Sequence, residues 1–121
     1  MTKILAAIAA TFALALGGLA LAAAPASADP CSVTTILGTP DRDTLRGTRC
    51  NDRIFGFGDR DRLIGARGHD ALRGGRGDDR LNGIEAQGPA TRDRLNGGRG
   101  FDRCVIDAVD VAVRCELIIR R

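Results

Sequence analysis

The nine residues Gly74–Asn82 read GGRGDDRLN, and Gly97–Val105 read GGRGFDRCV. The nine before the first copy, Gly65–Arg73, read GARGHDALR and are a third version. Cut every nine residues from Gly38, the chain gives GTPDRDTLR, GTRCNDRIF, GFGDRDRLI, GARGHDALR and GGRGDDRLN. Five extra residues, Gly83–Gln87, then intervene, and the frame resumes as GPATRDRLN and GGRGFDRCV over residues 88–105. All seven units begin with Gly, and all seven carry Asp at position six: Asp43, Asp52, Asp61, Asp70, Asp79, Asp93 and Asp102. Position eight is Leu45, Ile54, Leu63, Leu72, Leu81, Leu95 and finally Cys104.

The unit has two halves. Positions one to six are Gly, polar and acidic residues, which is turn chemistry. Positions seven to nine form a short strand with its middle side chain pointing in and its neighbours out. Helix is a poor alternative, because Gly recurs too often for a helix interior. Two units make one coil, and stacked coils build two parallel sheets, each coil about 4.8 Å above the last. The position-eight aliphatics then form a thin core between the sheets. The expected fold is all-β: a parallel β-roll, or solenoid, of nonapeptide repeats.

Stacking carries a cost. Units two apart lie above one another, so each side of the roll acquires a ladder of Asp. Like charges about 5 Å apart repel by about 3 kcal/mol per neighbour pair at an effective dielectric near 20. A thin core cannot absorb several such terms, so a cation is expected between the turns. Carboxylates and main-chain carbonyls are the hard oxygen ligands that Ca²⁺ takes.

With those residues in view, the units resemble the RTX (repeats-in-toxin, haemolysin-type) calcium-binding nonapeptide, G-G-x-G-x-D-x-U-x. The resemblance spans residues 38–105. It implies a parallel β-roll in which each Ca²⁺ lies between two turns on one side, held by main-chain carbonyls and the position-six Asp of both. The implied ligands are the seven Asp named above. The match is uneven: position four is Gly at Gly68, Gly77 and Gly100 but not at Asp41, Cys50, Asp59 or Thr91. Position two is Gly only at Gly75 and Gly98. The best implied site therefore joins Asp79 to Asp102 across a looped-out insertion, with Asp61 next to Asp79 and Asp52 next to Asp70 on the opposite side. Asp70 with Asp93 is the weaker pairing, because Pro89 and Thr91 replace glycine there.

The chain's start has the order of a secretory leader. Thr2-Lys3 is followed by a nearly unbroken apolar run over residues 4–24 and by Pro25-Ala26-Ser27-Ala28, an A-x-A cleavage pattern. A retained membrane anchor is the alternative, but Gly17-Gly18 breaks the run. Removal of residues 1–28 leaves 93 residues with 17 Arg, 15 acids and no Lys. A chain so small and so poor in apolar side chains needs staples or metal. Its four cysteines, Cys31, Cys50, Cys104 and Cys115, read as two disulfides in an exported protein. Of three pairings the local one is expected, Cys31–Cys50 with Cys104–Cys115; free thiols or zinc are the alternatives. The ends follow: an N-terminal cap over 29–37 and a C-terminal cap over 106–121, with the Val-rich segment Cys104–Cys115 read as a disulfide-closed strand pair over the end of the core.

Arginine complicates this picture. Arg53, Arg62, Arg80, Arg94 and Arg103 hold position seven, and Arg42, Arg60 and Arg92 hold position five. They offer a metal-free alternative, a roll neutralised by Arg–Asp pairing whose surface binds anionic extracellular or cell-wall polymers. Specific nucleic-acid binding is not indicated, since few aromatics accompany them. Arg76-Gly77-Asp78 spells RGD inside a turn that the repeat already explains. Ser32 and His69 are the one Ser and the one His after the leader, at unrelated places in the frame, so no catalytic set is expected. The reading is a secreted, non-catalytic protein that folds around Ca²⁺ outside the cell and no longer touches a membrane once the leader is cleaved.

Overall fold

Positions seven to nine are the stretch of each unit best suited to extended chain, and strands form there. The computed structural model describes residues 31–85 and 88–121. The expected leader, Asp29 and Pro30 of the expected cap, and Ala86 and Gln87 of the insertion lie outside the described residues. Ten strands follow in order: β1 (Thr34–Leu37), β2 (Thr44–Arg46), β3 (Asp52–Phe57), β4 (Arg62–Ile64), β5 (Ala71–Arg76), β6 (Arg80–Asn82), β7 (Arg94–Arg99), β8 (Arg103–Ile106), β9 (Val111–Val113) and β10 (Leu117–Arg120). No helix occurs among the described residues.

The chain changes sheet at every turn. Odd strands form one five-stranded sheet, β1-β3-β5-β7-β9, and even strands the other, β2-β4-β6-β8-β10. Neighbours within each sheet run parallel. This is the expected parallel β-solenoid. In the odd sheet Ile36, Ile54, Leu72, Leu95 and Ala112 stand in register. In the even sheet Leu45, Leu63, Leu81, Cys104 and Ile118 do the same. Ile54, Leu63, Leu72, Leu81, Leu95, Cys104 and Ile106 make the buried core, with Ile36, Leu45, Ala112 and Cys115 packed at its margins. The core is one side chain wide on each sheet, so coil-to-coil burial must be supplemented by bonds along the stack.

Two features depart from the frame. The odd-sheet strands β3, β5 and β7 are six residues long, whereas β4 and β6 are three. They continue because Gly75 pairs with Phe57 below and Gly98 above, where glycines leave no side chain to hold the coils apart. At the C-terminus, β8 and β9, the strands of the segment Cys104–Cys115, lie in different sheets and do not pair with each other as a closing strand pair would. β9 adds to β7 and β10 adds to β8. Each finds an open sheet edge whose backbone groups need partners, so 106–121 forms a last shortened coil. Ile118 at its inner position remains 41% exposed, so the core end stays open. Both local disulfides form, Cys31–Cys50 and Cys104–Cys115.

Where glycine is missing the backbone keeps glycine's shape. Phe57 and Ala66, at position two, have φ of 84°, and Asp59, at position four, has φ of 62°. A side chain in this region costs about 1–2 kcal/mol. Ala66→Gly is therefore expected to stabilise the roll by about 0.5–1 kcal/mol after the larger unfolded-state entropy of glycine is subtracted. Thermal melting of the two proteins checks this, and a lower midpoint for the variant would contradict it.

Candidate metal centre

Alternation along the chain fixes where the position-six Asp must point. Position eight faces inward, so position six, two residues earlier, faces inward too. Asp52, Asp61, Asp70, Asp79, Asp93 and Asp102 are at most 2% exposed, while Asp43 in the first turn is half-buried.

The carboxylates are linked along the roll by the backbone. On the even-sheet side the Asp43 N–H donates to Asp61 Oδ1, the Asp61 N–H to Asp79 Oδ1, and the Asp79 N–H to Asp102 Oδ1, each at 2.8 Å. On the odd-sheet side the Asp52 N–H donates to Asp70 Oδ1 at 2.8 Å and the Asp70 N–H to Asp93 Oδ1 at 2.9 Å. Partners stand 18 residues apart, or 23 where the insertion intervenes. The stacking neighbours read from the frame, Asp61 with Asp79, Asp79 with Asp102, Asp52 with Asp70 and Asp70 with Asp93, are thus brought together.

Two further carboxylates join that the nine-residue frame missed. The Asp93 N–H donates to Asp110 Oδ1, 17 residues on, and the Asp102 N–H donates to Glu116 Oε2, 14 residues on. The signal that could have found them is an acid two residues ahead of an inward small or aliphatic residue, Ala112 or Ile118.

The second carboxylate oxygens divide the ladder in two. In the first two turns a threonine at position two fills them. Thr39 N–H and Oγ1 donate to Asp43 Oδ2, and Thr48 N–H and Oγ1 donate to Asp52 Oδ2. From the third turn on, Phe57, Ala66, Gly75, Pro89 and Gly98 replace threonine. Oδ2 of Asp61, Asp70, Asp79, Asp93 and Asp102 is then buried without a hydrogen-bond partner. Unpaired buried oxygens are costly, more so when charged.

Four of these oxygens face the position-one glycines Gly56, Gly65, Gly74 and Gly97, and Asp93 Oδ2 faces Gly83 of the insertion. A Cβ on Gly74 would lie 2.2 Å from Asp79 Oδ2 and 2.6 Å from the carbonyl oxygen of Gly97 in the next coil. The corresponding figures at Gly56 are 2.2 Å to Asp61 Oδ2 and 2.7 Å to Gly74 O. On the even-sheet side the turns at Gly56, Gly74 and Gly97 therefore each gather a carboxylate oxygen and a main-chain carbonyl into a space kept clear by glycine. Carboxylate with carbonyl is the donor chemistry of a calcium site, and the orphaned Oδ2 atoms fit a cation. Among the described residues no group of three or more His, Cys, Asp or Glu side chains is placed to hold a metal. The side chains come one per turn, so main-chain oxygens would have to complete any coordination shell.

Burial controls the charge of the ladder. It pushes Asp70 and Asp79 up to about 7 and Asp93 up to about 8. The donated backbone N–H groups offset part of this, and neighbouring carboxylates add to it. Asp61, Asp102 and Asp110 are also raised, burial again being the largest cause. The negative charge of Glu85, from the insertion, raises Asp70, Asp93 and Asp110 further. Its Oε1 accepts hydrogen bonds from the Thr91 N–H and hydroxyl, which ties the insertion back onto the turn it interrupts.

The arginines lie elsewhere. Every Arg at positions five and seven is exposed. Between described residues one ion pair forms, Arg60 with Asp78 at 3.9 Å, both half-exposed. No buried position-six Asp is part of it. His69 is exposed and its Nδ1 lies 3.2 Å from both the carbonyl oxygen and the N–H nitrogen of Arg92. Arg76 is the last residue of β5, and Gly77-Asp78 lie in the turn that leads to β6.

Comparison with known proteins agrees with this geometry. Neither the curated proteins nor the solved structures gave a match. A family model described as the RTX calcium-binding nonapeptide repeat, in four copies, matches residues 37–72 and 55–83. The later units Gly88–Asn96 and Gly97–Val105 fall outside the matched residues yet stack in the same register. Over residues 37–83 the chain is thus similar to the RTX calcium-binding nonapeptide-repeat family.

Proposed function

We propose that this is a secreted, non-catalytic protein that folds around Ca²⁺ lodged between its stacked turns. The observation that carries the reading is the run of five buried, partnerless Oδ2 atoms at Asp61, Asp70, Asp79, Asp93 and Asp102, one per turn. These five are the principal ligands. Asp43 and Asp52, already bonded by Thr39 and Thr48, contribute at the edges of the array. Bound Ca²⁺ would supply positive charge to the ladder, while the aspartates and turn carbonyls hold it and the glycines keep its space open.

Export fits the same reading. The leader-like residues 1–28 and the two disulfides suit an oxidising, calcium-rich exterior, where weak sites in the sub-millimolar to millimolar range fill. The chain leaves as a loose polymer, and metal binding then drives folding. Sixteen arginines among the described residues are exposed, against four acids, Asp41, Asp59, Asp78 and Glu116. That imbalance supports anionic extracellular polymers as partners of the outer faces.

Circular dichroism during a calcium titration, reversed with chelator, tests the proposal. Strand signal is expected to grow with Ca²⁺ and vanish on chelation, and calorimetry is expected to show uptake of several ions. A strand spectrum indifferent to chelator, with no calorimetric uptake, would overturn it.

A further inference from the structure

The two ends of the roll complement each other, and we propose that copies of this chain stack head to tail as the coils do within one copy. β1 and β2 are edge strands at one end, β9 and β10 at the other, each bonded to a neighbour strand on one side only. The core opens at both ends. Ile118 faces inward opposite Cys104 and is 41% exposed; Ala112 holds the same place opposite Leu95. At the other end Ile36 and Leu45 are the partly buried inward residues.

Continuing the parallel register by one step seats Ala112 over Ile36, and Ile118 over Leu45, of the next copy. On the outer face the same step sets Val113 over Leu37, residues that are 48% and 61% exposed. Natural edge strands are usually blunted by Lys, Pro or inward charge. β9 reads VAV and β10 reads LIIR; β9 carries no such guard, and on β10 the one charge on the inner face is Arg120 at its last residue, in register with buried Ile106.

The ladder gives the joint a direction. Within the chain each position-six N–H donates to a carboxylate one coil further on, as Asp43 does to Asp61. At the C-terminal end the Glu116 N–H is a donor beyond which no coil stands among the described residues. At the N-terminal end Asp43 is the carboxylate whose Oδ1 no earlier coil among the described residues reaches. Joined, Glu116 N–H meets Asp43 Oδ1 of the next copy, and the ladder runs on through the contact. One end donates and the other accepts, so the contact is heterologous and does not close on itself. The product is an open rod. Head-to-tail stacking needs the roll's register, whichever ion fills the turns. Two short strands and their turns bury a small area, below about 1,200 Å² in total, so association belongs to high protein concentration.

Sedimentation velocity tests this on protein expressed from the full reading frame, saturated with Ca²⁺, from dilute to near-millimolar concentration. The mass is expected to grow with concentration in whole-protomer steps. Ile118→Arg blocks the donor end and Leu45→Arg the acceptor end, so each variant alone is expected to remain monomeric. An equal mixture retains one good donor end and one good acceptor end, and its mass is expected to double and stop there. Wild-type protein that stays monomeric throughout, a single variant that still associates, or a mixture that stays monomeric would each overturn the proposal. If either arginine variant loses its strand spectrum, Ile118→Thr with Leu45→Thr replaces the pair. Circular dichroism and calcium calorimetry on the same samples separate this failure from failure of the calcium reading: a folded, calcium-loaded monomer defeats only the stacking.

Discussion

In metal-free buffer the protein is expected to lose stability as the pH rises from about 5 to about 8, the reverse of ordinary acid denaturation. Asp70 and Asp79 are pushed to about 7 and Asp93 to about 8 from an ordinary value of 3.8. Between those limits the folded chain keeps protons that the unfolded chain has released. Protonation therefore favours the fold; its benefit is complete near the ordinary carboxylate value and gone above the raised ones. A tenfold change in proton affinity between the folded and unfolded chain corresponds to about 1.4 kcal/mol. After allowance for solvent screening along the turns, the three groups together withdraw on the order of 10 kcal/mol. That is comparable with the whole stability of a small domain, about 5–15 kcal/mol. Ca²⁺ takes the place of the protons, so its addition at about pH 8 is expected to restore the fold and flatten the pH dependence. Thermal melts across this window, with chelator and with calcium, measure the effect. A chelated midpoint that stays level or climbs with pH would refute it.

The second large effect separates ion from ladder. Asp79→Asn keeps an acceptor for the Asp61 N–H and removes a charge beside Asp61 and Asp102. In chelator at about pH 8 it is expected to stabilise the roll by about 2–4 kcal/mol, because a buried ionised carboxylate is gone. In calcium the same change is expected to destabilise, because two stacked turns lose a ligand. Asp52→Asn is the control. Its Oδ2 already accepts from Thr48, so a cost of about 1 kcal/mol with the same sign in both buffers is expected. Melting both variants in the two buffers decides the matter. An Asp79→Asn effect of one sign throughout would mean that no ion depends on that carboxylate.

Much of this architecture is legible in the order of residues alone. Glycine at position one, Asp at six and an aliphatic at eight suffice to place odd and even units on opposite sheets and Asp61 beside Asp79. The rest is hidden because the roll counts coils, not residues. Asp110 and Glu116 enter the ladders after steps of 17 and 14 residues, since a turn without the full glycine set can be shortened once no further coil has to match it. The division of the aspartates is hidden for another reason. Thr39 and Thr48 look like simple departures from glycine at position two, yet their hydroxyls and N–H groups fill the carboxylate oxygens that later turns leave bare. A frame records which residue is absent and says nothing of the bonds its replacement makes.

The position of the two disulfides sets how the molecule would bear a pull. Cys31 is tied to Cys50 and Cys104 to Cys115. Tension entering at residue 31 passes through sulfur to residue 50 and leaves residues 32–49 slack; at the far end it skips residues 105–114. Apart from residues 116–121 beyond the second disulfide, only the span between Cys50 and Cys104 can lengthen as the roll is drawn out, one coil after another, like a short spring clamped at both ends.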